Sequence, residues 1–343
     1  MLRLFIAAAA VAALASCKPT AQVTLSVEPG FYPSAIAHER LHDRFFVGSH
    51  SSGAIALVRR DGTSIALVRP ENAASPVVQL VFDPSERRLW ALTPDAVERF
   101  DPGAAPSRRT AIATAAPGGR FVDLAVDRRG QAFVLDAASG EILVADAGRG
   151  GARVIAKLPH GDEEPRASRT GPQCTGAPAT QREGALLLLP DGSALIGALG
   201  DKLWRIDART AAVEPVRMGV PLAQVSQLVL LASDPAAHHV AVLRGRANEV
   251  VTLHVAPDGR RAMVDAGTRM RFDMPLHGAH DGSQLVLLLG RLRHHPDFCG
   301  DGRPNLPPRF ATYSPSPRQA LITAERPIIG SPANGAGRGD EGG

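Results

Sequence analysis

The chain repeats a pattern in which two short apolar runs are separated by an acidic or turn-forming element. In one copy, the apolar residues 124–126 lead through Asp127 to a second apolar run at 132–135. Short runs of this kind, bounded by turn residues, predict β-strands. One residue anchors the first run of each clear copy, at steps of 44, 44, 62 and 42 residues: Ile36, Leu80, Leu124, Leu186 and Leu228.

A sixth, looser copy has Asp281-Gly282 ahead of the apolar residues 285–289, and its first run then begins near His277. The copies also carry a third run and often a fourth. Four short strands in about 40 to 45 residues are typical of a propeller blade. We predict an all-β fold, a six-bladed β-propeller with four-stranded antiparallel blades over residues 30–325. A pair of β-sandwiches is the alternative, but near-constant spacing is not expected of it.

The N-terminal residues have the layout of a secretory signal. Arg3 precedes twelve uncharged residues, 4–15, a run too short to span a bilayer. Residues 14–17, Leu-Ala-Ser-Cys, then resemble the bacterial lipobox, in which the cysteine is acylated and becomes the first mature residue. The resemblance implies a bacterial lipoprotein with its membrane anchor on Cys17.

On this interpretation, residues 1–16 are the lipoprotein signal peptide, and residues 17–29 are a lipidated N-terminus and linker or a closing strand. Lys18 after the cysteine implies a cell-envelope protein held at the outer membrane and facing the periplasm. The alternative is an ordinary signal cleaved near Ala15, which would leave Cys17 as a free thiol. Multiple acyl chains on one residue would suffice for stable anchoring.

Composition excludes one class of partner. Removal of residues 1–16 takes away Arg3 and leaves 37 basic and 34 acidic residues, a net charge of +3. That balance argues against nucleic-acid binding, so no nucleic-acid partner is expected. The glycine-rich tail at 326–343 predicts disorder.

Two segments carry a resemblance to a known family. Residues 32–38 read YPSAIAH and are followed by RFFVGS at 44–49, while REGA at 182–185 runs into PDG at 190–192. These segments resemble the senescence-marker/gluconolactonase superfamily and related NHL-type propellers. The resemblance implies a divalent cation in the central channel, held by carboxylate and amide oxygens at the starts of inner strands. Such a cation polarises a lactone or phosphoester.

Six polar positions could face that channel mouth: Ser34, Gln79, Asp123, Glu183, Gln227 and His277. The resemblance would make Glu183 and Asp123 the catalytic carboxylates, with His277 transferring a proton. However, the family's first blade usually carries Glu before Gly, where this chain has Ser34-Ala35. Two carboxylates on different blades make a weak calcium site, so we assign no metal ligands. The alternative is a wet channel, lined by polar groups, without catalysis.

If Cys17 is acylated, Cys174 and Cys299 remain, and they fall in insertions at 159–182 and 291–308. With four antiparallel strands in each blade, both connections leave the same face and lie over one mouth of the channel. An oxidising compartment favours a disulfide between the two cysteines, which would make a lid. Two free thiols are the alternative.

A zinc site in the second insertion is another reading of the same residues. The residue types suit zinc, but their spacing matches no recognised ligand pattern. The candidate ligands would be His294, His295, Asp297, Cys299 and Asp301.

Together these patterns predict an envelope-anchored lipoprotein that acts as a binding or scaffold module through its loop-lidded channel face. Its partner would be an unknown protein or small-molecule ligand. The alternative is a metal-dependent lactonase or esterase of the gluconolactonase type. The absence of the first-blade glutamate favours the binding module. No cofactor is predicted beyond the divalent cation that the resemblance implies.

Overall fold

A computed structural model shows a ring of six β-sheets, five of them made by consecutive parts of the chain and the sixth completed by the N-terminal strand. The structure describes residues 22–27, 30–69, 75–83, 85, 87–103, 108–146, 151–159, 183–289 and 308–314. Every sheet is a blade with four antiparallel strands, so the predicted six-bladed propeller is confirmed. Within these ranges the only helix is the 3₁₀ turn Gly245–Ala247, and no helix there is long and apolar enough to cross a membrane.

The first three blades follow one another from the inner strand outward. Blade 1 contains Pro33–Glu39, Arg44–Ser49, Ile55–Arg59 and Ser64–Arg69. Blade 2 contains Gln79–Asp83, Arg88–Leu92, Ala96–Asp101 and Arg108–Thr114. Blade 3 contains Phe121–Val126, Gln131–Asp136, Glu141–Asp146 and Ala152–Lys157.

The last three blades are less regular. Blade 4 contains Gly184–Leu188, Ala194–Leu199, Lys202–Asp207 and Val213–Pro215. Blade 5 contains Gln227–Ser233, His238–Arg244, Glu249–Val255 and Arg261–Arg271, with Arg217–Met218 added in parallel at its outer edge. Blade 6 contains Pro275–His280, Leu285–Leu289, Arg309–Tyr313 and Gln22–Thr24.

The N-terminal strand closes the ring. Gln22 pairs with Ala311 in antiparallel register, so the start of the described chain supplies the outer strand of blade 6. Across the junction, the rings of Phe45 in blade 1 and Phe310 in blade 6 lie 5.1 Å apart, centroid to centroid. The first and last blades are therefore joined by both hydrogen bonds and packing.

The core consists of apolar layers between neighbouring blades. Phe46 and Phe82, for example, stack between blades 1 and 2 with ring centroids 5.6 Å apart. Because neighbouring blades cover both faces of each sheet, the second strands are buried along their length, as in Ala194–Leu199. Outer strands lose this cover, and Val154 is half exposed. Each fully buried large side chain contributes roughly 1.5–3 kcal/mol.

The strand directions define two ends of the propeller. We call the end where the inner strands begin the mouth face, and the end where each inner strand turns into the second strand the turn face. The inner strands begin at Pro33, Gln79, Phe121, Gly184, Gln227 and Pro275.

Both predicted insertions connect strands at the mouth face. One joins Lys157, the end of the outer strand of blade 3, to Gly184, and the other joins Leu289 to Arg309 within blade 6. Cys174, Cys299 and the candidate zinc ligands lie outside the described residues, as do Cys17, residues 1–16 and the tail 326–343. The disulfide and the acylation stay predictions.

Candidate channel site

The strand registers show which polar residues occupy equivalent positions in the inner strands. In each blade, one residue of the inner strand pairs with the same position of the second strand. We call these six residues the inner ring. Its members are Ala35, Gln79, Asp123, Ala185, Gln227 and His277. Ser34 lies one residue closer to the mouth, in a bulge, and Glu183 lies two residues before Ala185. The six predicted positions are therefore four ring members and two residues nearer the mouth.

Asp123 is buried and joins three blades. Its Oδ1 accepts hydrogen bonds from Gln79 Nε2 in blade 2 and from the backbone N–H of Leu124, both at 2.7 Å. Its Oδ2 accepts the backbone N–H of Leu186 in blade 4, also at 2.7 Å. Burial raises the pKa of Asp123 to about 7, while these three bonds act to lower it. Both carboxylate oxygens are thus used by the protein itself.

Other mouth-side polar groups also link neighbouring blades. Gln227 Oε1 accepts the backbone N–H of Gly278 in blade 6 at 2.7 Å. Ser34 Oγ donates to the carbonyl of Val77, just before the inner strand of blade 2. Inner strands have no further strand on their channel side, so these side chains provide the inter-blade hydrogen bonds that a sheet cannot.

Glu183 differs because one of its oxygens has no partner. Arg246 Nε donates to Glu183 Oε1 at 2.8 Å, whereas Glu183 Oε2 is buried and has no hydrogen bond to any described residue. Burial raises the pKa of Glu183, although the charge of Arg246 opposes this. Arg246 is 44% exposed, so the pair lies at the rim of the mouth between blades 4 and 5.

His277 is the second mouth-side residue with an unused polar atom. Its Nδ1 is buried and has no hydrogen-bond partner among the described residues. Burial lowers the pKa of His277 to about 4, which keeps the imidazole neutral at pH 7. A neutral imidazole can accept a hydrogen bond at one nitrogen and donate at the other.

Arg246 is positioned by the turn between the second and third strands of blade 5. This turn packs against blade 6, because a Cβ added to Gly245 would approach Leu276 Cδ2 to 2.1 Å. Asn248 adopts a left-handed conformation, φ 55°, and its Oδ1 accepts the backbone N–H of Met274 at 2.9 Å. Our sequence analysis missed Arg246, although the same topological argument that placed the insertions puts this turn on the mouth face.

The divalent cation implied by the family resemblance does not fit these residues. Asp123 is saturated by protein N–H donors, and Glu183 is neutralised by the guanidinium of Arg246. Among the residues that the structure describes, no three His, Cys, Asp or Glu side chains form a group able to hold a metal. A hard cation needs several oxygen ligands, and this donor set does not supply them.

No family model matches the chain, and no curated protein matches it. Solved structures do match. A calcium-binding protein, regucalcin, from Agrobacterium tumefaciens is 15% identical with a TM-score of 0.56, covering 86% of this chain and 94% of that one. A gluconolactonase from Xanthomonas campestris is 12% identical with a TM-score of 0.54, covering 86% and 98%.

An auxiliary nutrient binding protein from Bacteroides thetaiotaomicron is 11% identical with a TM-score of 0.56, covering 83% of this chain and 70% of that one. The propeller therefore has structural neighbours in the gluconolactonase/regucalcin superfamily, as the sequence resemblance predicted. At these identities the likeness is one of fold, and proteins of one fold differ in activity.

Proposed function

We propose that this protein is a binding module that takes a small, neutral, polar ligand at the mouth of its propeller channel. The observation that carries this proposal is a pair of buried polar atoms, Glu183 Oε2 and His277 Nδ1, that have no partner among the residues the structure describes. A buried polar atom left without a partner costs about 1–3 kcal/mol, which a bound ligand would recover. Both residues stand at mouth ends of inner strands.

The polar groups define the chemistry of the ligand. Glu183 Oε2 accepts hydrogen bonds, the neutral imidazole of His277 accepts or donates, and the half-exposed guanidinium of Arg246 donates. The Glu183–Arg246 pair has no net charge, so a charged ligand gains no counter-ion there. A compound with several hydroxyl groups, such as a sugar or polyol, matches this set of donors and acceptors.

We also infer that the protein is anchored in the bacterial envelope through acylated Cys17, at the outer membrane facing the periplasm. The support is the uncharged run at 4–15 and the lipobox-like residues that follow it. Metabolic labelling with an alkyne-tagged fatty acid tests the anchor. Label should enter the wild type and be absent from Cys17→Ser, and an unlabelled wild type would contradict this inference.

The ligand proposal is tested by calorimetric titration with a panel of neutral sugars and polyols. At least one compound should bind the wild type. Glu183→Gln and His277→Ala should each weaken binding at least about tenfold, or roughly 1.4 kcal/mol. Asp191→Asn, an exposed acid on the turn face, is the matched control and should bind normally. No binding by the panel, or equal binding by all variants, would overturn the proposal.

A metal-dependent lactonase or esterase is the second candidate. The specific observation in its favour is the raised pKa of the buried carboxyls Glu183 and Asp123, a property typical of acid–base groups. Calcium and zinc titration followed by a lactone and aryl-ester hydrolysis screen tests it. Metal-stimulated turnover that is lost in Glu183→Ala would establish hydrolysis in place of simple binding.

A further inference from the structure

On the turn face, the turns between inner and second strands differ in charge from one side of the ring to the other, and we call those of blades 1 to 3 the basic half. The turns between inner and second strands read RLHD at 40–43, PSER at 84–87 and DRRG at 127–130 in blades 1 to 3. The equivalent turns in blades 4 to 6 contain no lysine or arginine, and each has an aspartate. These aspartates are Asp191, Asp234 and Asp281. Among the turns between inner and second strands, the arginines are therefore confined to blades 1 to 3.

Four arginines of the basic half project into solvent. They are Arg40, Arg87, Arg128 and Arg129, and all are exposed. None of these guanidinium groups forms an ion pair with any residue in the described ranges. They are consequently available to an external anionic surface.

Three acids lie in the turns of the basic half, and Glu86 among them is outside the described residues. Asp43 pairs with Arg60 at 2.6 Å and with His38 at 3.0 Å. Asp127 Oδ1 accepts the backbone N–H groups of Arg129 and Gln131, each at 2.8 Å. Arg60 therefore offsets the charge of Asp43, and the three turns carry four arginines against three acids.

An exposed apolar residue stands among the cations. Leu41 is 72% exposed, the largest exposed fraction among the large hydrophobic side chains described. It lies at the tip of the first turn, between Arg40 and His42. An apolar side chain surrounded by basic residues is typical of a surface that rests on a bilayer interface.

The N-terminal strand runs from the turn-face side toward the mouth, because Gln22 pairs with Ala311 and Thr24 pairs with Arg309, the mouth-end residue of the neighbouring strand. Ser26 N donates to Gly62 O at 2.9 Å, and Gly62 approaches the strand so closely that a Cβ there would lie 2.0 Å from Thr24 O. Arg60, in the same turn, pairs with Asp281 across the junction of blades 6 and 1. Cys17 precedes Gln22 by five residues, a reach of roughly 17 Å when fully extended.

We propose that the basic half of the turn face, with Leu41, rests on the anionic phospholipid headgroups of a bilayer. The charge of the surface, its exposed leucine and the nearby start of the chain all favour this occupant. Because the mouth face is the opposite end, the ligand site would then open away from the membrane. This orientation rests on the proposed anchor at Cys17, whereas headgroup binding by the basic surface does not.

Sedimentation with vesicles tests the surface without the lipid anchor. The chain from Lys18 onward keeps every described strand. It should bind vesicles containing 30–40% phosphatidylglycerol in low salt, bind phosphatidylcholine vesicles at least about tenfold more weakly, and lose binding as salt rises. Equal binding to both kinds of vesicle, or to neither, would overturn the proposal.

Matched variants identify the surface. Changing Arg40, Arg87, Arg128 and Arg129 to glutamate should reduce binding to anionic vesicles at least about tenfold. The same change at four exposed cations at the mouth ends of their strands, Lys157, Lys202, Arg271 and Arg309, alters net charge equally. It should leave most of the binding intact, and an equal loss would mean that net charge alone is responsible.

The contribution of Leu41 to vesicle binding is tested separately. Leu41→Ser should weaken vesicle binding several-fold, whereas Val220→Ser, at a residue 53% exposed in the connection from blade 4 to blade 5, should not. Circular dichroism of each variant checks that it is folded. If acylation of Cys17 is found but the vesicle assay fails, the anchor stands and the docking surface is wrong.

Discussion

Asp123 in blade 3 and His277 in blade 6 occupy equivalent positions in the inner ring, but their surroundings differ. Asp123 receives three hydrogen bonds from blades 2, 3 and 4. His277 Nδ1 receives none. The same position in the strand therefore supports a folding role in one blade and leaves a polar group available in another.

This difference shows why a polar residue near a propeller channel is not by itself evidence of catalysis. Backbone N–H groups of an inner strand have no neighbouring strand on the channel side, and a side chain of the adjacent blade can accept their hydrogen bonds. Where that happens, as with Asp123 and Gln227, the residue stabilises the ring. Glu183 and His277 keep unused atoms, so they are the better candidates for ligand contact.

The largest effect is expected for Asp123→Ala. This change leaves the N–H groups of Leu124 and Leu186 and the amide of Gln79 without their acceptor in a buried site. We expect the free energy of unfolding to fall by about 3–5 kcal/mol. Urea unfolding followed by circular dichroism measures it. A loss below about 1 kcal/mol would contradict the structural role of this carboxyl.

Asp123→Asn is the matched control, because it keeps the shape and one acceptor oxygen and should cost less than the alanine change. Folding raises the pKa of Asp123 from 3.8 to about 7, so the folded state binds the proton more tightly. The stability of the wild type relative to Asp123→Asn should therefore increase as pH falls from about 7 toward 4. A difference independent of pH would show that burial does not control this carboxyl.

A smaller effect is expected for Gln227→Ala, which removes the acceptor for the N–H of Gly278. Only one donor loses its partner, so the loss should be about 1–3 kcal/mol. Gln131→Ala, on the second strand of blade 3, changes the same residue type where no side-chain acceptor role is seen in the described structure. That control should lose less, and equal losses would remove the argument for inter-blade bonding.

His277 should make the free energy of unfolding depend on pH. Burial lowers its pKa from 6.5 to about 4, so the unfolded chain binds the proton more readily than the folded protein between these values. The wild type should lose stability from this residue as pH falls from about 6.5 to 4, and His277→Gln should not. We expect the variant to gain about 2–3 kcal/mol relative to the wild type over this range, measured by urea unfolding. A constant difference would place the imidazole in contact with water.

The sequence predicted the fold because each blade repeats a pattern of short apolar strands and turns. That pattern can be recognised without knowing any single contact between residues. It also predicted that Gln79, Asp123, Gln227 and His277 could face the channel mouth, and the strand registers place these four at equivalent positions. Strand spacing could not predict that both carboxylate oxygens of Asp123 accept hydrogen bonds from neighbouring residues. That outcome depends on how adjacent blades align, which no repeat within one blade encodes.

The contact between Arg246 and Glu183 could not be predicted from the sequence either. Sixty-three residues separate the two, and the turn at Gly245–Ala247 had no motif to identify it. Its glycine is required by close packing against Leu276, a contact between blades. Packing between neighbouring blades, rather than the pattern inside one blade, therefore decides which polar groups remain for function.

The smallest effect on stability is expected for Glu183→Gln. The pair with Arg246 lies at the rim, where the guanidinium is 44% exposed, and exposed ion pairs contribute only about 0–1 kcal/mol. Glutamine keeps an acceptor for Arg246 Nε, and its amide places a donor where the unpartnered Oε2 now lies. Urea unfolding should therefore detect a change below about 1 kcal/mol, while ligand titration detects a large loss. A stability loss comparable to that of Asp123→Ala would show that Glu183, like Asp123, stabilises the ring of blades.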